Sequence, residues 1–160
     1  MEIRKTRFDH PDAVLLNDLV QKEYAERYGD EGDRTPMAAD HFDPPAGLYL
    51  LGYDADGLPV ASGGWRAQDD AAEGFEPGDA ELKRMFVVPT ARGRGHARAV
   101  LAELEASAAA AGRVRMVLET GLKQPEAIRL YTSCGYEPVG AFGYYRYADL
   151  SVHMGKPLSA

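Results

Sequence analysis

The 160-residue chain contains one cysteine, Cys134, so no internal disulfide can form, and no cysteine/histidine cluster with zinc-ligand spacing accompanies it. No apolar run approaches the length needed to span a membrane. The first residues, MEIRKTRFDH, lack the apolar centre of a secretory signal. These absences predict a protein of the reducing cytoplasm with neither a membrane nor a metal partner. Excess positive charge is also missing: the net charge of −7 would repel a nucleic-acid backbone. Repeats and low-complexity segments are absent, apart from the alanine-rich stretch 106–111. What remains is the balance of an ordinary globular protein, long enough for one domain over residues 1–160 with a substantial core.

Hydrophobic spacing and turn residues divide the chain into alternating strands and helices. Residues 2–8 read as a first strand, and Pro11 opens a helix that Gly29 closes. Val14, Leu15, Leu19 and Val20 are the expected inward face of that helix. The polar stretch 29–45 reads as a solvated loop with one helical turn, or as a flap facing a substrate. Residues 48–53 and 59–65 form a hairpin around the turn Asp54–Gly57, and Trp65 is expected to be partly core. A loop over 68–79 leads to a strand at 80–88. A helix over 92–111 should bury Ala97, Val100, Leu101, Leu104 and Ala108. A strand at 114–118, a helix at 125–133 ended by Gly135, and a hairpin of strands at 136–139 and 145–154 complete the chain. The predicted class is α/β (α+β), with a mixed sheet of about six or seven strands flanked by helices.

The stretch RMFVVPTARGRGHARAVL concentrates positive charge where the 80–88 strand turns into a helix. The first N–H groups of a helix lack intrahelical partners, and the helix dipole adds positive potential there. Arginines at such a site are unfavourable unless an anion is bound. Gly93 and Gly95 let a bulky anion approach the backbone, and Arg92, Arg94 and Arg98 can add forked hydrogen bonds, so the turn reads as a pyrophosphate site. Neither the dinucleotide fingerprint G-x-G-x-x-G nor the P-loop G-x-x-x-x-G-K-[ST] is satisfied.

The pattern that does fit is R/Q-x-x-G-x-G/A, carried by Arg92-Gly93-Arg94-Gly95-His96-Ala97 after the strand Glu81–Pro89. Downstream, Gln124, Ala127, Leu130 and Tyr131, followed by Gly135-Tyr136, match a segment N-x-x-A-x-x-x-Y…G-F/Y, with Gln124 in place of Asn. Both motifs, and the order of elements over nearly the whole chain, resemble the GNAT superfamily of N-acetyltransferases. The resemblance implies acetyl-CoA as co-substrate, without a metal. Its pyrophosphate would lie on residues 92–98, with Arg98 the last of them, and its pantetheine arm along Met85, Phe86, Val87 and Val88. Gln124, Ala127, Leu130 and Tyr131 would border the arm, as would Glu119. Backbone N–H groups of Phe86 and Val87 would bind the thioester carbonyl. A homodimer is also compatible with the resemblance.

Acetyl transfer to an amine requires a neutral nucleophile, a donor to the oxyanion and a proton for the departing thiolate. The resemblance implies Glu81 as general base, directly or through water, and Tyr131 as the acid. Asp79 and Glu119 are alternative bases. Cys134 reads as a packing residue, and His10, His41 and His153 suggest no shared site. The resemblance implies a primary amine as acceptor, on a small molecule or a protein. Tyr24, Tyr28, the acidic loop 30–43 and the aromatic run Phe142–Tyr147 could meet around it and suit a cation, or simply be loop and hairpin packing. A non-catalytic acyl-CoA-binding module is the competing reading.

Overall fold

A computed structural model describes residues 1–159. The strands are β1 (Glu2–Thr6), β2 (Gly47–Tyr53), β3 (Pro59–Gln68), β4 (Asp79–Val87), β5 (Arg115–Gly121), β6 (Glu137–Pro138) and β7 (Ser151–Pro157). The helices are α1 (Pro11–Tyr28), α2 (His96–Ala110) and α3 (Pro125–Ser133). All seven strands belong to one mixed sheet in the order β1-β2-β3-β4-β5-β7-β6, giving the expected α+β single-sheet architecture.

Side chains alternate across the sheet, and each face has its own cover. Leu48, Leu50 and Trp65 pack beneath Val100, Leu101, Leu104 and Ala108 of α2. Tyr49, Leu51 and Tyr53 pack with Ala13, Leu16 and Val20 of α1 and with Phe42 from a short 3-10 turn, Ala39–Phe42. Each large aliphatic side chain buried this way contributes about 2 kcal/mol of transfer free energy. Trp65 is fully core, its indole N–H donating to Ser107 Oγ at 3.2 Å.

Three sequence expectations need correction. Val14, Leu15 and Leu19 are 45%, 51% and 42% exposed; the inward face of α1 is Ala13, Leu16, Asn17 and Val20. Apolar residues occur on two sides of this helix, and buried Asn17 is acceptable because its amide is bonded to Ala13 O (2.9 Å) and Tyr49 Oη (3.1 Å). Helix α2 begins at His96 rather than Arg92, because Gly93 and Gly95 take left-handed φ values of +78° and +80°. Ala97 is accordingly half-buried beside a cavity rather than in the core. The last strand starts at Ser151, because the tyrosine-rich segment before it turns at Gly143 (φ +73°) and never joins the ladder.

The parallel pair β4–β5 organises the site. Their register runs Asp79↔Arg115, Ala80↔Met116 and Glu81↔Val117, then stops, although both strands continue. On its other edge β4 carries one extra residue against β3: Ser62 pairs with Phe86, but Gly64 pairs with Lys83. This bulge contains Arg84 at φ +59°, and Ser62 Oγ ties down the Arg84 carbonyl at 3.2 Å. The sheet therefore opens as a wedge between Leu82–Val87 and Leu118–Gly121.

Candidate active site

Two cavities meet in the wedge. One, of about 330 Å³, runs from the turn before α2 along Met85–Val87 to α3. The other, of about 450 Å³, lies between β4 and β5 and is closed by α1, the loop at Asp30–Asp33 and the segment before β7. Tyr24, Met85, Gln124, Ala127 and Tyr131 border both.

The outer end of the first cavity is formed by the turn before α2. Gly93, Gly95, His96, Ala97, Arg92 and Arg98 line it, and the α2 N-terminus has neither a side-chain cap nor an acidic residue in its first turn. Its leading N–H groups therefore face outward, with the helix dipole behind them. The three arginines do not converge as the sequence suggests. Arg92 is braced by Val87 O (2.9 Å) and by Glu23 Oε2 of α1 (2.9 Å). Arg98 turns to the end of α3, reaching Ser133 Oγ at 2.5 Å and Cys134 Sγ at 3.3 Å. Arg94 stands exposed.

The strand edge supplies one further donor. Val88 N donates to Val60 O at 2.9 Å. In an antiparallel ladder the neighbouring Val87 must then turn its N–H and C=O the other way, toward the wedge, and Arg92 indeed takes that carbonyl. By the same alternation the Phe86 N–H faces β3, which removes it from the expected donor pair. Val88 packs with the α1 cluster rather than lining either cavity. Leu130 borders the first cavity, and Gln124 donates to the Tyr28 hydroxyl at 3.3 Å.

Tyr131 sits at the junction, 7% exposed, with its ring edge-on to Tyr136 at 5.7 Å. Burial, followed by the neighbouring Cys134, pushes its phenol above the ordinary tyrosine range, so it stays protonated at neutral pH.

The three candidate carboxylates differ sharply. Asp79 is fully buried and grips Arg115 through both oxygens, at 2.8 and 2.7 Å. Glu81, the expected base, is 3% exposed, accepts from Arg66 Nε at 2.8 Å and Gln68 Nε2 at 3.1 Å, and borders neither cavity. Its register lies in the closed part of the seam, where β5 still covers β4. Glu119 lines the larger cavity. Burial pushes its carboxyl up to about 7, against the lowering effect of a 2.8 Å hydrogen bond from Ser151 Oγ. It can thus exchange a proton near neutrality.

The far wall contains residues the sequence reading missed. Lys83 and Arg84 both line the larger cavity, facing Asp33. Burial would raise the Asp33 carboxyl, but Lys83 and the Thr35 hydrogen bonds outweigh it and hold it well below the usual range. Gln21 clamps the Asp33 backbone through its side-chain amide, donating to Asp33 O and accepting from Asp33 N at 2.7 Å each, so this part of the loop is packed rather than solvated. Two consecutive basic residues within a strand were the available signal. Of the aromatic run, Tyr145 reaches the cavity and accepts from Arg34 N at 2.7 Å, whereas Phe142 is buried against Phe75 and His153 and Tyr147 is 85% exposed. Tyr24 and Tyr28 line the opposite side, and Tyr28 lies over Gly121, where any Cβ would strike its hydroxyl.

Among the described residues, no group of three or more His, Cys, Asp or Glu could hold a metal, and no helix is long and apolar enough to cross a membrane. A curated IAA acetyltransferase from Azospirillum brasilense is 47% identical over 83 residues, covering 52% of this chain and 54% of that protein. The match thus spans about half the length of that relative. A structure assigned as an acyl-CoA N-acyltransferase from Klebsiella pneumoniae subsp. pneumoniae superposes with a TM-score of 0.80 at 28% identity, covering 99% of this chain and 97% of that one. A phosphinothricin acetyltransferase from Sinorhizobium meliloti, solved with AcCoA, shares the fold at a TM-score of 0.68 and 21% identity, covering 99% of this chain and 88% of its own. The model of the acetyltransferase (GNAT) family matches residues 14–136, and the chain belongs to that family.

Proposed function

We propose that this chain is an acetyl-CoA-dependent N-acetyltransferase that moves an acetyl group from the thioester to a primary amine by direct attack in a ternary complex. The observation that carries this reading is the meeting of two cavities at Tyr131, in the wedge where β4 parts from β5. A two-substrate transfer needs this arrangement, with separate approaches and one shared contact point. The co-substrate's diphosphate would rest on the open α2 N-terminus, and its arm would follow Met85–Val87, with the outward Val87 N–H as donor.

Glu119 takes the role of base for the incoming amine, since it faces the acceptor cavity and titrates near neutrality, whereas Glu81 is held by Arg66. Tyr131 gives its proton to the thiolate as the carbon–sulfur bond breaks. Thiol release measured across a panel of amines tests the proposal, with turnover expected for at least one of them. Tight acetyl-CoA binding without acetylation of any amine, peptide or protein lysine would instead identify a binding module. Failure to bind acetyl-CoA would overturn both readings.

A further inference from the structure

The larger cavity holds two buried cations close together on one wall. Consecutive strand residues normally point to opposite faces, yet the bulge at Arg84 lets Lys83 and Arg84 line the same space. Their side chains are 9% and 7% exposed. One buried carboxylate serves both. Asp33 Oδ2 lies 2.7 Å from Lys83 Nζ and 3.6 Å from Arg84 Nε, and Asp33 Oδ1 is occupied by Thr35 N (2.9 Å) and Thr35 Oγ1 (2.6 Å). Arg84 Nη1 donates to the neutral Asn17 amide oxygen at 3.2 Å, and Arg84 Nε is buried without a hydrogen-bond partner.

A buried guanidinium without its own counter-charge is costly, and a ligand carboxylate offsets that cost through charge-assisted hydrogen bonds. The remaining acidic groups around the cavity do not fill the role. Asp30 and Asp149 are exposed at its rim, and Glu119 accepts from Ser151 Oγ at 2.8 Å and forms no ion pair with Lys83 or Arg84.

We propose that the acceptor is an amine that also carries a carboxylate, an amino acid, whose carboxylate is held by Arg84 and Lys83 while its amino group is presented to Glu119. The inference rests on the N-acetyltransferase reading above and narrows its acceptor. Polyamines and protein lysines lack the anion this wall accommodates.

The test compares each common amino acid with its own carboxamide as acceptor, at equal concentrations of the free-base amine, using the full-length protein and acetyl-CoA. The acid should be preferred in kcat/KM by about tenfold or more, the scale of one lost charge-assisted contact. In Arg84→Gln that preference should shrink toward parity. A wild-type protein that acetylates carboxamides or polyamines as well as acids overturns the inference and leaves the N-acetyltransferase reading intact. So does an Arg84→Gln protein that keeps the full preference. Acetyl-CoA binding with no acetylation of any amine removes the parent reading and this one with it. Should Arg84→Gln fail to fold, melting of the wild type with N-acetyl amino acids and with their carboxamides gives the same decision. Stabilisation by the acids alone supports the inference; equal stabilisation overturns it.

Discussion

At the closed end of the β4–β5 seam, Asp79 is gripped by Arg115 and Glu81 by Arg66; at the open end, Glu119 accepts a hydroxyl hydrogen bond and Arg84 Nε has no hydrogen bond at all. The two ends are a few residues apart on the same strands. The closed end spends its charges on one another, which holds the strands in register but leaves nothing for a ligand. The open end leaves Arg84 Nε without a hydrogen bond and Glu119 without a cation, the pattern the proposed chemistry would use. Perturbed, underused groups belong where chemistry occurs.

Substitutions can break this contrast. The largest expected effect is that of Glu119→Gln, which should lower kcat by about a thousandfold in the range typical of general-base removal, with KM for acetyl-CoA little changed in steady-state assays. The wild-type rate should rise as pH passes through about 7, and the variant should lose that limb. The same group makes stability depend on pH. Its folded value lies above its ordinary 4.5, so its contribution is full below about 4.5 and is lost as pH rises through 7. Melting curves of wild type and Glu119→Gln should therefore draw together toward acid pH.

Glu81→Gln should do the opposite. It leaves Arg66 buried without its carboxylate, costing about 3 kcal/mol of stability in a denaturant titration. Below the melting transition its kcat should stay near wild type, and a thousandfold loss would restore Glu81 as the base. Tyr131→Phe should lower kcat by about a hundredfold while acetyl-CoA affinity, read by calorimetry, holds. Equal activity would remove the tyrosine from proton transfer. The smallest effect belongs to the turn: Gly95→Ala must adopt a left-handed φ, costing about 1 kcal/mol and weakening acetyl-CoA binding roughly fivefold.

The legible parts of this molecule were those set by neighbours in sequence. Pro11 and Gly29 fixed both ends of α1, and the paired glycines before α2 marked the turn that precedes it from residue type alone. What sequence could not supply was the partner across the sheet. The resemblance implied Glu81 as base, but its ion pair with Arg66, 15 residues earlier, forms only when β3 and β4 pair. The inward face of α1 was misjudged for a similar reason, since Asn17 earns burial through Tyr49 and Arg84, both distant in the chain. Lys83 and Arg84 share a wall only because of a one-residue bulge, which periodicity does not announce.

The borders of the sheet carry a consequence for self-association. At one side the final strand, β6, is two residues long, and one of them is Pro138, which has no N–H to offer. At the other, β1 presents Glu2, Arg4 and Lys5 to solvent. Short, proline-bearing or charged margins are poor templates for an incoming strand. Copies of this chain are thereby discouraged from adding to one another edge to edge, a safeguard against fibrous aggregation, and any ordered assembly is directed to its helical faces.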